Sequence, residues 1–96
     1  MKTTYLLTWL AMKPEVSIPF FAKGGFVTPA GVTLISNWHV VANPRGFALL
    51  EVTDPAVFHA LIIEWEKVIN LQVDQVISDA DALRVLGKPT VVKSKV

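Results

Sequence analysis

Residues 31–52, GVTLISNWHVVANPRGFALLEV, decide the fold that this chain can adopt. Residues 32–41 are mainly β-branched, apolar or aromatic and include no Lys, Arg, Asp or Glu, which favours a strand. Residues 42–46, ANPRG, have the chemistry of a turn, because Asn tolerates unusual backbone angles, Pro fixes φ and Gly releases it. Residues 47–52 are apolar except for Glu51, a pattern typical of a strand covered on both faces. The stretch therefore predicts a β-hairpin with a buried second strand.

The segment before the hairpin predicts one strand and one weak helix. Residues 3–10 alternate in character and are rich in Thr, Tyr, Leu and Trp, as strands often are. Pro14 suits the first turn of a helix. Residues 15–23 then form a poor helix, because Pro19 interrupts the backbone hydrogen bonds and several neighbours are weak helix formers.

The segment after the hairpin predicts a long helix, a strand and a short helix. Asp54 is a good cap and Pro55 a good first helical residue, and we expect this helix to end near Asn70. Residues 71–77 read as the last strand, and residues 79–86 as a short helix. The long helix has an apolar stripe at three- and four-residue spacing: Phe58, Leu61, Ile62, Trp65, Val68 and Ile69.

The elements follow in the order βαββαβ, which is the arrangement of the ferredoxin-like α+β fold. That fold has a four-stranded antiparallel sheet with both main helices on one face. We expect residues 1–96 to form one domain, with a core at residues 3–87 and a basic C-terminal tail at residues 88–96. Since no helix covers the second face of the sheet, the simplest arrangement is a homodimer that packs two sheets face to face.

The composition also favours an oligomer. Of the 96 residues, 52% are hydrophobic and 18% are charged, and the mean hydropathy is +0.48. A domain of this size buries only about two-thirds of its unfolded surface, which leaves too little interior for that much apolar material. We therefore expect part of the apolar surface to be hidden between copies of the chain.

The composition and the short motifs argue against several classes of partner and several kinds of site. A net charge of +1 gives no electrostatic reason to expect a nucleic acid. No apolar run approaches the ~20 residues of a membrane span, so we expect a soluble cytoplasmic protein that does not contact a membrane. The chain has no cysteine and only 2 histidines, on separate elements, which form no recognisable metal site. No phosphate-binding loop is present, and we expect no cofactor.

His39 is the strongest candidate for a residue that binds or reacts with a ligand. Strand alternation places Asn37 and His39 on one face, and a hairpin register that sets Asn37 opposite Glu51 would bring the carboxylate beside the imidazole. Such a pair is the arrangement of a general base. The alternative is a histidine that is hydrogen-bonded inside a dimer interface. Tyr5 and Trp9 from the first strand would complete the candidate ligand-binding set.

Two functions stay open at this point. The first is a small dimeric protein that binds or transforms a small apolar or aromatic molecule in a cavity beside His39. The second is a non-enzymatic structural or protein-interaction module, in which the polar side chains of the sheet face only specify the dimer. The amount of free space beside His39 distinguishes the two functions. Large side chains that fill this space would favour the structural or protein-interaction module.

Several short motifs resemble one family of small, mostly bacterial proteins. The resemblance covers residues 3–87, and the chain departs from the family pattern at Asn37, where Arg is frequent, and at Gln75, where Pro is common. The family is known only as a domain of unknown function and is similar in shape to dimeric α/β-barrel proteins, which include cofactor-independent monooxygenases, haem-degrading enzymes and stress-responsive proteins. The resemblance thus implies a fold and a dimeric α/β-barrel-like assembly, and no reaction. The motifs are Gly31-Val32-Thr33-Leu34, Trp38-His39, Gly46-Phe47-Ala48-Leu49-Leu50-Glu51, Asp54-Pro55 and Trp65.

Overall fold

The computed structural model describes residues 2–11 and 13–86, and the basic tail expected at residues 88–96 lies outside them. Seven elements follow one another in the described part of the chain. They are β1 (Thr3–Ala11), α1 (Pro14–Ala22), β2 (Val32–His39), β3 (Arg45–Val52), α2 (Pro55–Trp65), β4 (Ile69–Val76) and α3 (Asp79–Leu86). The order confirms the predicted βαββαβ arrangement, with the short third helix after it.

The four strands form one antiparallel sheet in the order β2-β3-β1-β4. Two aromatic contacts show that α1 and α2 lie on the same side of this sheet. Phe21 of α1 packs against Trp9 of β1 with ring centroids 5.0 Å apart, and Phe58 of α2 stacks on Tyr5 of β1 at 4.6 Å. Tyr5 and Trp9 are an even number of residues apart and therefore share a face. The ferredoxin-like α+β fold is confirmed, with a helix side and an open face.

A β-bulge at Ile35 interrupts the pairing of β2 with β3. Leu34 pairs with Leu50, and Ser36 pairs with the next residue of β3, Leu49, so that Ile35 is an extra residue on β2. An extra residue reverses the alternation of side chains along the strand, and side chains that would otherwise face one way face the other.

The bulge sets the position of both polar candidates on β2. Asn37 pairs with Ala48 and His39 pairs with Gly46. Because paired residues share a face, Asn37 and His39 lie on the helix side. Glu51 lies on the open face. The prediction that Asn37 stands opposite Glu51 is therefore wrong, and the three residues do not share a face.

The hairpin turn also lies two residues earlier than the sequence predicted, at residues 40–44. β2 ends at His39, and Val41, which the prediction placed inside the strand, is 92% exposed. The turn closes where the backbone N–H of Val40 donates to the carbonyl of Arg45 at 2.9 Å. The chain reverses there through Ala42, whose φ of 60° is unusual for a residue with a side chain.

Both main helices differ from the prediction, α1 in its interior and α2 at its C-terminal end. α1 continues through Pro19, although proline cannot donate the backbone hydrogen bond at that position. The aromatic contacts of the next two residues, Phe20 and Phe21, offset that loss by packing into the core. α2 ends at Trp65 and not near Asn70, because Ile69 is fully buried in β4, where it pairs with Ala11.

Phe26, in the loop between α1 and β2, is the aromatic centre of the core. Its side chain is 3% exposed. The ring lies 4.9 Å from that of Trp65 on α2 and 6.0 Å from that of Phe21 on α1. It lies 6.2 Å from the indole of Trp9 on the sheet. One loop residue thus joins both helices to β1.

The open face carries several large apolar side chains that the single chain leaves uncovered. Trp38 is 67% exposed. Ile35 and Leu10 are 47% and 43% exposed, and Phe47 of β3 is 38% exposed. Within one chain, β3 is thus covered on one face only.

We expect Trp65→Ala to lower the free energy of unfolding by about 3–5 kcal/mol, through lost burial and a new cavity. Trp65 is 5% exposed and packs on Phe26. Ile63→Ala is the matched control on the same helix, because Ile63 is 49% exposed and should cost clearly less. Chemical denaturation measures both, and equal shifts of the two midpoints would contradict the assigned buried face of α2.

Candidate functional site

The candidate site is built around the contact between the indole of Trp9 and the backbone of Gly46. These residues pair between β1 and β3, and a Cβ at position 46 would overlap both the indole of Trp9 and the carbonyl oxygen of Trp38. Only glycine therefore allows the indole to lie against the backbone of β3. Trp9 is 2% exposed in this position.

A hydrogen bond from the indole fixes its orientation. The Nε1–H group of Trp9 donates to Oδ1 of Asn37 at 3.0 Å, in a partly buried setting. A buried indole N–H usually finds such a partner, because leaving it unpaired costs free energy. Asn37 thus positions Trp9, and its side-chain oxygen is engaged by that contact.

His39 lies at the end of β2, where its ring meets two aromatic side chains. Its centroid is 5.0 Å from that of Trp9, with an interplanar angle of 75°. The ring of Phe21 lies 5.3 Å away at 66°. Both contacts are edge-to-face, which is a favourable geometry for aromatic rings. The imidazole is therefore oriented by packing while it stays exposed to solvent.

An open cleft of about 660 Å³ lies beside these rings, between α1, β1 and the hairpin turn. This volume is within the range of about 300–1,000 Å³ typical of small-molecule sites. α1 contributes every third or fourth residue, which is one face of the helix. The lining consists of Trp9, Ala11, Pro14, Ser17, Ile18, Phe21, Ala22, His39, Asn43 and Pro44.

The cleft has few polar side chains. Among the described residues, no Lys, Arg, Asp or Glu lines it. Ser17, His39 and Asn43 are its polar side chains. Ser17 is 6% exposed and is the one buried polar residue in the described part of the chain.

Three of the five sequence candidates come together. Trp9, Asn37 and His39 are in contact around the indole. Tyr5 precedes Trp9 by four residues in β1 and lies on the same side of the sheet. Its ring stacks on Phe58 of α2 and does not join the group around the indole. Glu51 is on the opposite face, where its carboxylate lies 3.8 Å from the ammonium group of Lys2. The predicted imidazole–carboxylate pair is therefore absent.

The contribution of α1 to the site was not predicted from the sequence. Pro14, Ser17 and Phe21 follow helical spacing, and that spacing would have placed them on one face had Pro19 not argued against a helix. Phe21 gives the cleft an aromatic wall, and Ser17 gives it a hydroxyl.

The described residues contain neither a metal-binding cluster nor a spanning helix. No group of three or more His, Cys, Asp or Glu side chains in residues 2–11 and 13–86 could hold a metal ion. In the same residues, no helix has both the length and the apolar character needed to cross a bilayer.

Comparison with known proteins assigns the chain to one family. The family model described as "Domain of unknown function (DUF3303)" matches residues 3–89. Neither the curated proteins nor the solved structures gave a significant match. The match agrees with the resemblance noted in the sequence, and its description contains no activity or ligand.

We expect Gly46→Ala to displace the indole of Trp9 and to cost about 1–3 kcal/mol or more of stability, the usual cost of overpacking. Thr33→Ala, at an exposed position on the same hairpin, is the control. The indole N–H resonance of Trp9 reports its hydrogen bond to Asn37, and thermal unfolding reports stability. An unchanged resonance and melting temperature in the Gly46 variant would show that the close approach is not required.

Proposed function

We propose that this chain, which belongs to the family Domain of unknown function (DUF3303), binds a small apolar molecule in the cleft beside His39. The observation that carries the proposal is the cleft itself, about 660 Å³ of space lined mainly by apolar and aromatic side chains. A cavity lined this way, with a few convergent polar groups, is the usual form of a small-molecule site.

Three rings form the end wall of the cleft and support the proposal. Trp9, Phe21 and His39 are held edge-to-face or tilted against one another, so little rearrangement is needed when a ligand arrives. The imidazole adds one hydrogen-bonding group at this wall. With Glu51 on the other face, its carboxylate cannot assist His39, and binding has more support than a reaction that needs that general-base pair.

We expect Ala22→Phe to fill the cleft and weaken ligand binding at least tenfold. Ala22 lies on the cleft face of α1 and is exposed, so the larger ring can be accommodated without disturbing the core. Ala60→Phe, at an exposed position on α2, adds the same bulk away from the cleft. Titration with 2-naphthol, followed through backbone amide NMR shifts, gives the dissociation constants.

The expected shifts lie in α1, the end of β2 and the hairpin turn, and both variants should keep the melting temperature of the unmodified protein. Saturable binding with equal constants in the two variants would place the ligand elsewhere. No saturable shift in the unmodified protein would remove the proposal.

The open face supports a second proposal, that the chain forms a homodimer through this face. Its central strip on β3 is apolar, with Phe47 and Leu49, and Leu6 of β1 lies beside Leu49. Trp38 pairs with Phe47 and extends the strip onto β2. Contiguous exposed apolar side chains of this kind mark interaction surfaces.

Charges at the two ends of β3 favour a second copy as the partner. Arg45 and Glu51 lie on the open face, on either side of Phe47 and Leu49. A two-fold axis that crosses the strands would set β3 antiparallel over its copy, with each Arg45 facing Glu51 of the second copy. An axis along the strands, between β1 and β3, would instead set Arg45 over Leu10, which leaves a charge on an apolar side chain.

We expect Arg45→Glu to weaken the dimer about tenfold or more, because two pairs of like charges would then face each other. The double variant Arg45→Glu, Glu51→Arg restores opposite charges and should recover most of the affinity. Lys2→Ala removes the exposed contact of Lys2 with Glu51 within one chain. An exposed pair of this kind contributes about 0–1 kcal/mol to the free energy of unfolding.

Sedimentation equilibrium at several concentrations gives the dimer dissociation constants. A monomer at micromolar concentration in the unmodified protein would remove the homodimer. A dimer that Arg45→Glu weakens and the double variant fails to restore would keep the homodimer and reject the crossed-strand arrangement.

A further inference from the structure

We propose that the occupant of the cleft is an uncharged molecule whose apolar body carries an oxygen that hydrogen-bonds to Ser17. The inference rests on the proposed function and adds the chemical class of the ligand and the residue that recognises it. His39 supplies the second polar contact, from β2, while Ser17 supplies the first, from α1.

The lining excludes a charged ligand. No Lys, Arg, Asp or Glu side chain lines the cleft among the described residues. A carboxylate or ammonium group that enters an apolar cleft loses its hydration and gains no opposite charge, which is very costly. A neutral molecule meets no such cost, and it gains from the burial of its apolar surface.

Ser17 is a buried polar residue that the fold itself does not use. Its side chain lies on the cleft face of α1 and the residue is 6% exposed. Its backbone N–H donates to the carbonyl of Lys13 at 2.9 Å, so the helix is satisfied without the side chain. No hydrogen bond of its hydroxyl is found among the described residues, where no side-chain oxygen is both buried and unpartnered, so the hydroxyl is open to the cleft.

The remaining polar groups near the cleft point to the same conclusion. The indole N–H of Trp9 is engaged by Asn37 and cannot serve a ligand. Asn43 is exposed on the hairpin turn, where its amide is open to solvent. Ser17 thus supplies the hydroxyl that a ligand oxygen would meet on the α1 wall of the cleft, and a hydroxyl can both donate to and accept from that oxygen.

Three probes of one shape test the inference: naphthalene, 2-naphthol and 2-naphthoate, titrated at pH 8 with amide NMR as the readout. We expect 2-naphthol to bind about tenfold more tightly than naphthalene, which is the gain from a hydrogen bond to a buried partner. We expect 2-naphthoate to bind at least tenfold more weakly than 2-naphthol, because the cleft offers its charge no partner.

Ser17→Ala should remove most of the preference for 2-naphthol over naphthalene and leave the affinity for naphthalene unchanged. It should not lower the melting temperature, since the hydroxyl has no partner in the fold. Ser36→Ala on the open face is the matched control and should keep the preference. The preference in the unmodified protein needs no variant and is measured even if Ser17→Ala does not fold.

The outcomes separate this inference from the proposed function. Equal affinities for naphthalene and 2-naphthol, or a preference that survives in Ser17→Ala, would overturn the role of Ser17 while the cleft remains a binding site. Tighter binding of 2-naphthoate would overturn the uncharged ligand. Absence of saturable binding by all three probes would overturn the proposed function and this inference together.

Discussion

The close approach of Trp9 to Gly46 is the constraint on which the rest of the structure depends. The indole lies flat against a strand that has no side chain at that point, and this brings β1, β3 and the aromatic core to one place. From there the contacts extend to Phe26 in the loop and to Phe21 on α1. The cleft exists because the same indole forms its wall.

Much of the fold could be predicted because its determinants are local. The cap formed by Asp54 accepts hydrogen bonds from the amides of Ala56 and Val57, as its place before Pro55 indicates. The period-2 alternation of β1 and the helical stripe around Trp65 likewise follow from burial on one side. α1 could not be predicted well, because contacts distant in sequence outweigh the local effect of Pro19.

The candidate site was harder to predict than the fold, because it depends on the register between strands. Asn37 and His39 are two residues apart, and their sharing of a face follows from the sequence alone. Which face they share depends on a single extra residue, and Ile35 is an ordinary strand residue that does not mark a bulge. Ser17 could not be predicted, because nothing in the sequence distinguishes a lone serine that is buried from one that is exposed.

The bulge also has a consequence for comparing this chain with its relatives. A deletion of one codon within β2 would remove the extra residue and turn the imidazole of His39 from the helix side to the open face. A gene that lost those three nucleotides would keep the Trp38-His39 motif and its hydrophobic composition. It would nevertheless place the histidine on the open face of the sheet, so the count of residues before the motif carries information that the motif does not.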